Sequence, residues 1–164
     1  MTTIAIDPGA AGGIAVQRDN QPVSATPMPA TEGDIVDFLR AIAAEADAVV
    51  AIVEEVGGYI GKAQPGSRAF TFGRHFGFIL GVLQTLGVRV ELVRPQKWQK
   101  ALSLGSASGC ASKTEWKNKL KASAQRLYPR LKPTLATADA LLILDYARRT
   151  AVRVTSGPEV NVDK

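Results

Sequence analysis

Three carboxylate side chains lie where apolar segments of the chain begin or end. Asp7 and Glu54 each close an apolar run that is typical of a buried strand, and Asp139 lies near the start of an almost wholly apolar segment. Because desolvating an unpaired carboxylate is unfavourable, such groups need a charged partner or a metal ion. Mg²⁺ and Mn²⁺ prefer oxygen ligands of this kind. If the fold brings the three side chains together, they predict a divalent-metal centre.

Each carboxylate also has a simpler explanation when it is taken alone. Asp7 precedes Pro8 and Gly9, which is typical of a turn. Glu54 fits an edge carboxylate that caps a loop, and Asp139 fits the favourable interaction of an acid with a helix N-terminus. The metal hypothesis is preferred because a single arrangement, two strand ends beside one helix start, accounts for all three.

Other kinds of catalytic site are poorly represented in the sequence. The only histidine is His75, and the only cysteine, Cys110, has no obvious base beside it. A Walker-type glycine loop and the Cys/His spacing of a zinc site are both missing. The glycine-rich residues 7–13 connect two predicted strands, which is the wrong context for a dinucleotide-binding fingerprint. The sequence therefore predicts no nucleotide cofactor.

Charge is divided unevenly along the chain, whose formal net charge is +5. Residues 1–60 carry nine acidic and two basic side chains, whereas residues 61–164 carry 18 basic and six acidic ones. A basic half is typical of polyanion binders, although solubilising surface lysines produce the same charge. An acidic metal centre in a net-basic protein suits phosphodiester hydrolysis. Basic side chains hold the phosphates, and two metal ions ~3.5–4 Å apart activate water and stabilise the leaving oxygen.

Length and composition indicate one globular domain. The chain has 164 residues, 46% of them hydrophobic and 21% charged, which is enough for a sizeable buried core. The pattern predicts a domain over residues 1–151 and a C-terminal tail, 152–164, that has no clear period and is expected to fray. We expect a cytoplasmic protein without a membrane span or leader segment, because no apolar stretch is long enough and the lone cysteine suits a reducing compartment.

The hydrophobic pattern predicts an α/β fold. Alternation and turn signals predict three short antiparallel strands near residues 3–7, 12–17 and 23–26. A helix over 32–46 precedes a continuous apolar run, 48–54, that is typical of a central strand covered on both faces. The later elements are a helix over 67–86, a strand over 88–93, a helical turn over 95–102, and helices over 113–128 and 137–151. The order predicts a mixed five-stranded sheet, three antiparallel strands then parallel ones, with helices on both faces.

The carboxylates lie within motifs that occur in a definite order. The motifs are Ile6-Asp7-Pro8-Gly9 with Gly12-Gly13, then Ile52-Val53-Glu54-Glu55-Val56, then Ala138-Asp139-Ala140-Leu141-Leu142-Ile143. Their order and spacing resemble the RuvC-type Holliday-junction resolvases of the RNase H-like superfamily. Residues 93–100, 113–129 and 144–149 resemble the bacteriophage and chloroplast branch of that family. The resemblance covers residues 3–150 and implies an RNase H-like fold.

The resemblance implies a metal-dependent endonuclease that acts on four-way (Holliday) junctions in DNA recombination and repair. Such an enzyme is a homodimer that nicks two opposed strands of branched DNA symmetrically, with two Mg²⁺ or Mn²⁺ ions in each active site. At the matching positions, Asp7, Glu54 and Asp139 are implied to be the catalytic, metal-binding carboxylates. Glu54 is preferred to Glu55 because the motif places its acid directly after an apolar pair. The implied location is the cytoplasm of a bacterium or of a phage-infected bacterial host.

Five basic side chains are candidates for contacts with DNA. Lys97 and Lys113 match basic family positions near the scissile phosphate. Lys117 follows Lys113 by one helical turn, and Arg68 and Arg74 lie on or near the long helix that carries several glycines. The alternative for all five is a solvated helix face. Beside a metal site, they predict phosphate contacts whose strength falls steeply with salt.

That long helix has a glycine at every fourth position, at Gly73, Gly77 and Gly81. Close packing of the helix on the sheet is the simplest explanation of the small residues. The resemblance adds a second explanation, a homodimer interface along this helix, which a two-fold symmetric junction requires.

One position departs from the family pattern. Family members usually have a fourth metal ligand, Asp or His, three or four residues before the last acid, where this chain has Ala136 and Leu135. Asp145 does not substitute, because it lies about 240° round the helix from Asp139. Two alternatives to a resolvase therefore stay open. One is a catalytically impaired junction-binding protein, and the other is an RNase H-like ribonuclease that processes structured RNA.

Overall fold

The computed structural model describes residues 1–19, 21–45, 48–55, 57 and 66–155, with the backbone alone for Arg68 and residues 151–155. Five strands form one sheet: β1 (Thr2–Asp7), β2 (Gly13–Arg18), β3 (Ser24–Pro27), β4 (Val49–Glu54) and β5 (Arg89–Val93). Their order is β3-β2-β1-β4-β5, in which β1, β2 and β3 pair antiparallel and β1, β4 and β5 pair parallel. The predicted mixed sheet is confirmed, and each strand begins and ends within one residue of the prediction.

Helices cover the sheet and connect its parallel strands. They are α1 (Glu32–Ala44), α2 (Gly66–Thr85), α3 (Pro95–Ala101), α4 (Lys113–Leu127) and α5 (Ala138–Thr155), with a short 3-10 turn at Ala107–Gly109. The last helix, α5, runs four residues further than its hydrophobic pattern predicts, and the tail from residue 156 lies outside the described residues. None of the described helices is long and apolar enough to cross a membrane.

The sheet has a separate apolar core on each face. Successive side chains of a strand point to opposite faces, so residues two apart share a face. Ile4, Ile6 and Val53 are buried in the core that also contains side chains of α1 and α2. Ala5 and Ile52 are buried in the other core, together with side chains of α3, α4 and α5. Helices therefore cover both faces, as the continuous apolar run in β4 predicts.

α2 packs on the sheet through large apolar side chains and not through its glycines. Ile79 and Leu83 are fully buried. A Cβ atom added at Gly73, Gly77 or Gly81 would meet no other atom within 4 Å, so these glycines lie on an open face of the helix. The explanation that the glycines allow α2 to approach the sheet closely is therefore wrong.

Candidate metal centre and nucleic-acid interface

Asp7 and Glu54 end two neighbouring parallel strands. β1 pairs with β4 in the register Ile6 with Val53, so the next residue of each strand, Asp7 and Glu54, lies beside the other. Both belong to the alternating set of positions whose side chains face α5. The sheet therefore directs both carboxylates to the same side, at the end of the strands where α5 begins.

Asp139 is the second residue of α5, and the turn before the helix fixes its position. The Thr134 N–H donates to Thr137 Oγ1 at 2.9 Å, and the Thr137 N–H donates to Thr134 Oγ1 at 3.2 Å, which satisfies donors at the helix start. This turn lies very close to β2, because a Cβ atom at Gly13 would lie 2.7 Å from the Ala136 carbonyl oxygen. Gly13 begins β2 opposite the last residue of β1, so the close approach brings α5 to the strand end.

The three carboxylates influence one another electrostatically. The pKa of Asp7 is raised to about 6, chiefly by burial and then by the charge of Asp139, although the Lys117 ammonium opposes the rise. The pKa of Glu54 is raised to about 8, chiefly by burial and then by the charge of Asp7. Like charges shift pKa values this way only at short range. The fold thus brings the three acids that the sequence singled out within electrostatic range of one another.

Lys117 reaches into this group from α4. Its Nζ lies 2.6 Å from Asp139 Oδ2. The Asp139 side chain is only 7% exposed, and its second oxygen, Oδ1, is buried with no hydrogen-bond partner in the part of the chain that the structure describes. Burial opposes the charged form of Lys117, but Asp139, Asp7 and Glu54 together raise its pKa above the ordinary value. The sequence predicts a DNA contact for Lys117, whereas in this structure its ammonium is held by a carboxylate.

Glu54, and not its neighbour Glu55, belongs to the group. Trp98 is fully buried in α3 and donates its indole Nε1–H to Glu54 Oε2 at 2.8 Å, which orients this carboxylate and opposes the rise of its pKa. Glu55 instead accepts a hydrogen bond from Arg94 at 3.1 Å. That Glu54 and not Glu55 binds a metal ion stays a prediction. The role of Trp98 was missed, and the only signal was that a buried indole N–H needs an acceptor.

Carboxylates such as these three are the type of ligand that a hard divalent cation prefers. All three side chains offer carboxylate oxygens, and Asp139 Oδ1 is a buried acceptor without a partner among the described residues. The pKa values of Asp7 and Glu54 are raised chiefly by burial and in addition by neighbouring carboxylates, so a bound cation would favour their charged forms. Within the described residues, however, no three Asp, Glu, His or Cys side chains are already spaced to hold one ion. Because the Lys117 ammonium is bound to Asp139, metal binding requires these side chains to rearrange.

The two other candidate lysines are exposed on the helices around this group. Lys113 is the first residue of α4, one turn before Lys117. Lys97 lies on α3, directly before the tryptophan that contacts Glu54. Neither is in an ion pair with any residue that the structure describes. Both side chains are therefore available to an anionic ligand, and Lys97 lines a pocket with Tyr146 and Arg149, further along α5 than Asp139.

The candidate residues of α2 lie next to the turn that follows β1. Arg74 is exposed and forms an ion pair with Glu32 at 2.8 Å, whereas the side chain of Arg68 lies outside the described part of the chain. His75 is half-buried and hydrogen-bonds through Nδ1 to the Pro8 carbonyl oxygen at 2.5 Å. This contact ties α2 to the turn after Asp7. No local pattern predicts this contact, because the two residues are 67 positions apart in the sequence.

The strand order and helix placement define an RNase H-like α/β fold, with acids at the ends of its two central strands and at the start of its last helix. Similar solved structures include Thermus thermophilus RuvC, with a TM-score of 0.52 and 20% sequence identity over 92% of this chain and 97% of that one. Another is T. thermophilus RuvC in complex with a Holliday junction substrate, with the same TM-score and identity over 92% of this chain and 96% of that one. No protein-family model and no curated protein matches the sequence. At this identity the similarity shows a shared fold, so an activity has to be argued from the chain's own residues.

Proposed function

We propose that this protein is a metal-dependent, structure-selective DNA endonuclease that resolves four-way junctions by paired, symmetric nicks. The observation that carries the proposal is the meeting of Asp7, Glu54 and Asp139 at one end of the central strands. Exposed lysines on α3 and α4 surround them. The similarity in fold to a RuvC structure that contains a Holliday junction substrate supports this choice of DNA.

The proposed roles follow from where each side chain lies. Asp7, Glu54 and Asp139 would hold two Mg²⁺ or Mn²⁺ ions, which when bound would activate water and neutralise charge on the phosphate that is cleaved. Trp98 fixes the direction of the Glu54 carboxylate through its indole N–H. The helix-start turn with its paired threonines keeps Asp139 at the strand ends. This preorganisation matters because charge must be stabilised at a fixed position in the transition state.

Basic side chains would hold the DNA strand against the carboxylates. Lys97 and Lys113 are exposed beside the site, and we assign them to phosphates near the one that is cleaved. Arg74 and Arg68 on α2 are assigned to a neighbouring part of the junction. Phosphate contacts of this kind position the substrate without reading its sequence.

A homodimer would present two such sites to one junction. The open glycine face of α2 is the surface we assign to the dimer contact, because small residues allow two helices to approach closely. Phe70 on the same helix is 73% exposed, so an apolar side chain is available to a partner beside the glycine face. Two identical sites related by a two-fold axis match two opposed strands of a four-way junction. The same proposal places the protein in the bacteriophage and chloroplast branch of these resolvases. It also places the protein in the cytoplasm of a bacterium or of a phage-infected bacterial host.

Nicking of a synthetic four-way junction tests the proposal. The purified protein is expected to nick two opposed strands when Mg²⁺ or Mn²⁺ is present and not when EDTA replaces it. Asp7→Asn is expected to reduce nicking by at least about 10³-fold while junction binding is kept, because the change removes a charge from the metal site and leaves the DNA-binding lysines intact. Asp37→Asn, an exposed carboxylate on α1, is the matched control. Nicking that survives Asp7→Asn would exclude the proposed centre.

One observation favours a second candidate, a junction-binding protein without cleavage activity. The place of the usual fourth ligand is taken by Ala136 and by Leu135, which is 47% exposed and has no atom that binds metal. Tight junction binding without metal-dependent nicking would support this candidate. The same assay with structured RNA as a competitor separates DNA resolution from the cleavage of structured RNA.

A further inference from the structure

The ammonium group of Lys117 forms the one ion pair that any of the three carboxylates makes in the described part of the chain, and its partner is Asp139. Its Nζ lies 2.6 Å from Asp139 Oδ2, a charge-assisted hydrogen bond of the strong, short kind. The charges of Asp7 and Glu54 act on the same ammonium. Lys117 thus supplies part of the positive charge that a divalent cation would bring.

The two side chains of this ion pair differ in how tightly the fold constrains them. The Asp139 side chain is 7% exposed and is fixed at the start of α5, whereas the Lys117 side chain is 32% exposed. Lysine has a long, flexible stem that carries a compact charge. The ammonium can therefore leave Asp139 by side-chain rotation alone, without any movement of α4 or α5.

A metal ion and the ammonium compete for the Asp139 carboxylate. A divalent ion bound to Oδ2 would lie within contact distance of the Lys117 Nζ, and an ion bound to Oδ1, the other oxygen of the same carboxylate, would still lie close to it. Two cations this close repel each other strongly in a partly buried site, so metal binding to the free protein favours displacement of Lys117. A DNA phosphate near the site offers the displaced ammonium a new anionic partner, so phosphate and metal favour each other's binding.

We infer that Lys117 is an internal competitor of the divalent metal: it occupies Asp139 in the free protein and moves to a DNA phosphate when substrate binds, which couples metal binding to junction binding. This inference rests on the proposed metal centre. Because coupling between two ligands is reciprocal, the metal must tighten junction binding by the same factor by which the junction tightens metal binding.

Mn²⁺ binding to the free protein, followed by the electron paramagnetic resonance signal of unbound Mn²⁺, tests the competition. Lys117→Gln is expected to bind Mn²⁺ about tenfold more tightly than the wild type, within the usual range of coupling between sites. Lys121→Gln removes an exposed charge one turn further along α4 and is expected to match the wild type. Lys117→Arg keeps the charge and is expected to bind Mn²⁺ no more tightly than the wild type.

Thermal unfolding supplies a second measurement, because Lys117→Gln leaves Asp139 buried without its partner and lowers the stability of the metal-free protein. Saturating Mn²⁺ is expected to raise the melting temperature of Lys117→Gln by more than that of the wild type, since a ligand that binds the folded state more tightly stabilises it more. An equal rise in both proteins would overturn the inference.

Junction binding by fluorescence anisotropy tests the coupling. Mn²⁺ is expected to tighten junction binding several-fold more in the wild type and Lys121→Gln than in Lys117→Gln. Lys121→Gln corrects for the response of the junction itself to Mn²⁺, and a denaturing gel verifies that the strands are intact. If Lys117→Gln and wild type bind Mn²⁺ within twofold of each other while Asp139→Asn binds it less, Lys117 is no competitor and the metal centre stands. If no variant binds Mn²⁺, the metal centre itself is wrong, and the proposed function falls with the inference.

Discussion

At the scale of single residues, the metal-free protein holds Asp7 and Glu54 in an environment that opposes their ionisation. Burial and mutual repulsion raise the pKa of Asp7 from 3.8 to about 6 and the pKa of Glu54 from 4.5 to about 8. Between the ordinary and the raised values, the folded protein binds more protons than the unfolded chain. The stability of the metal-free protein therefore falls as the pH rises from about 4 to about 8.

Glu54→Gln is expected to stabilise the metal-free protein at pH 8, by about 1–3 kcal/mol, because the amide keeps an acceptor for Trp98 and carries no charge to desolvate. Urea unfolding in EDTA at pH 5 and pH 8 measures the effect, and the gain over wild type should be larger at pH 8. In saturating Mn²⁺ at pH 8, the wild type is expected to regain the stability that it loses without metal. Glu54→Gln is not expected to gain stability from Mn²⁺ in this way. Glu91→Gln on exposed β5 is the control, and a Glu54→Gln protein that is no more stable than wild type at pH 8 would contradict this account.

At the scale of elements, the site depends on the close contact between the start of β2 and the turn that leads into α5. A Cβ atom at Gly13 would lie 2.7 Å from the Ala136 carbonyl oxygen and 2.8 Å from the Thr26 carbonyl oxygen. Both neighbours are backbone atoms, which cannot move aside as the end of a flexible side chain can. Glycine at this position therefore sets how near Asp139 comes to the end of β1.

Gly13→Ala is expected to destabilise the protein by about 1–3 kcal/mol, as other overpacked sites do, and to weaken Mn²⁺ binding because α5 shifts away from the strand ends. Gly33→Ala provides the opposite result from the same substitution. Its Cβ, near the start of α1, would make only an ordinary contact at 3.7 Å with Thr31 Oγ1, so a gain of about 0.5 kcal/mol is expected. Urea unfolding curves give both values, and equal stabilities for the two variants would refute the role of the Gly13 contact.

At the scale of the whole molecule, the two faces of the sheet differ in the charges they present. On α1, which packs on one face, Arg40 is paired with Asp37. On the other face, Lys97 and Lys113 have no ion-pair partner among the described residues and lie on the helices that surround the carboxylates. The acidic first part of the chain thus supplies two of the proposed metal ligands, whereas the basic second part supplies the lysines for a polyanion.

Junction binding by the double variant Lys97→Gln/Lys113→Gln should depend less on salt than binding by the wild type. Each lost phosphate contact lowers the slope of log affinity against log salt concentration by roughly 0.9, and the proposed homodimer loses two contacts per protomer, so the slope should fall by roughly 3.6. Titrations by anisotropy in EDTA, between 50 and 200 mM salt, measure the slope. Arg40→Gln, on α1 at the opposite face of the sheet, is the control and is expected to keep the wild-type slope. If Arg40→Gln lowers the slope as much as the double variant does, the effect comes from net charge and not from the two lysines.

Much of the architecture can be predicted from the sequence because it depends on local patterns. Alternating and continuous apolar runs indicate which segments form strands, and the acids at their ends are visible in the order of residues. That Asp7 and Glu54 should meet follows from the rule that the ends of neighbouring parallel strands lie at the same edge of a sheet. The glycines of α2 show the limit of such reasoning, since their spacing alone does not say which face of the helix they occupy.

Only the tertiary structure decides which side chains the acids contact. Lys117 and Asp139 are 22 positions apart, and Trp98 and Glu54 are 44 apart. Whether such side chains meet depends on how α3, α4 and α5 pack on the sheet to within about an ångström, and no periodicity in the chain encodes that distance. The sequence by itself determined which residues carry the charge. Only the packing of α4 against α5 places the Lys117 ammonium on Asp139. The reason is that this ion pair needs the two side chains to be close and partly buried, which the order of residues does not specify.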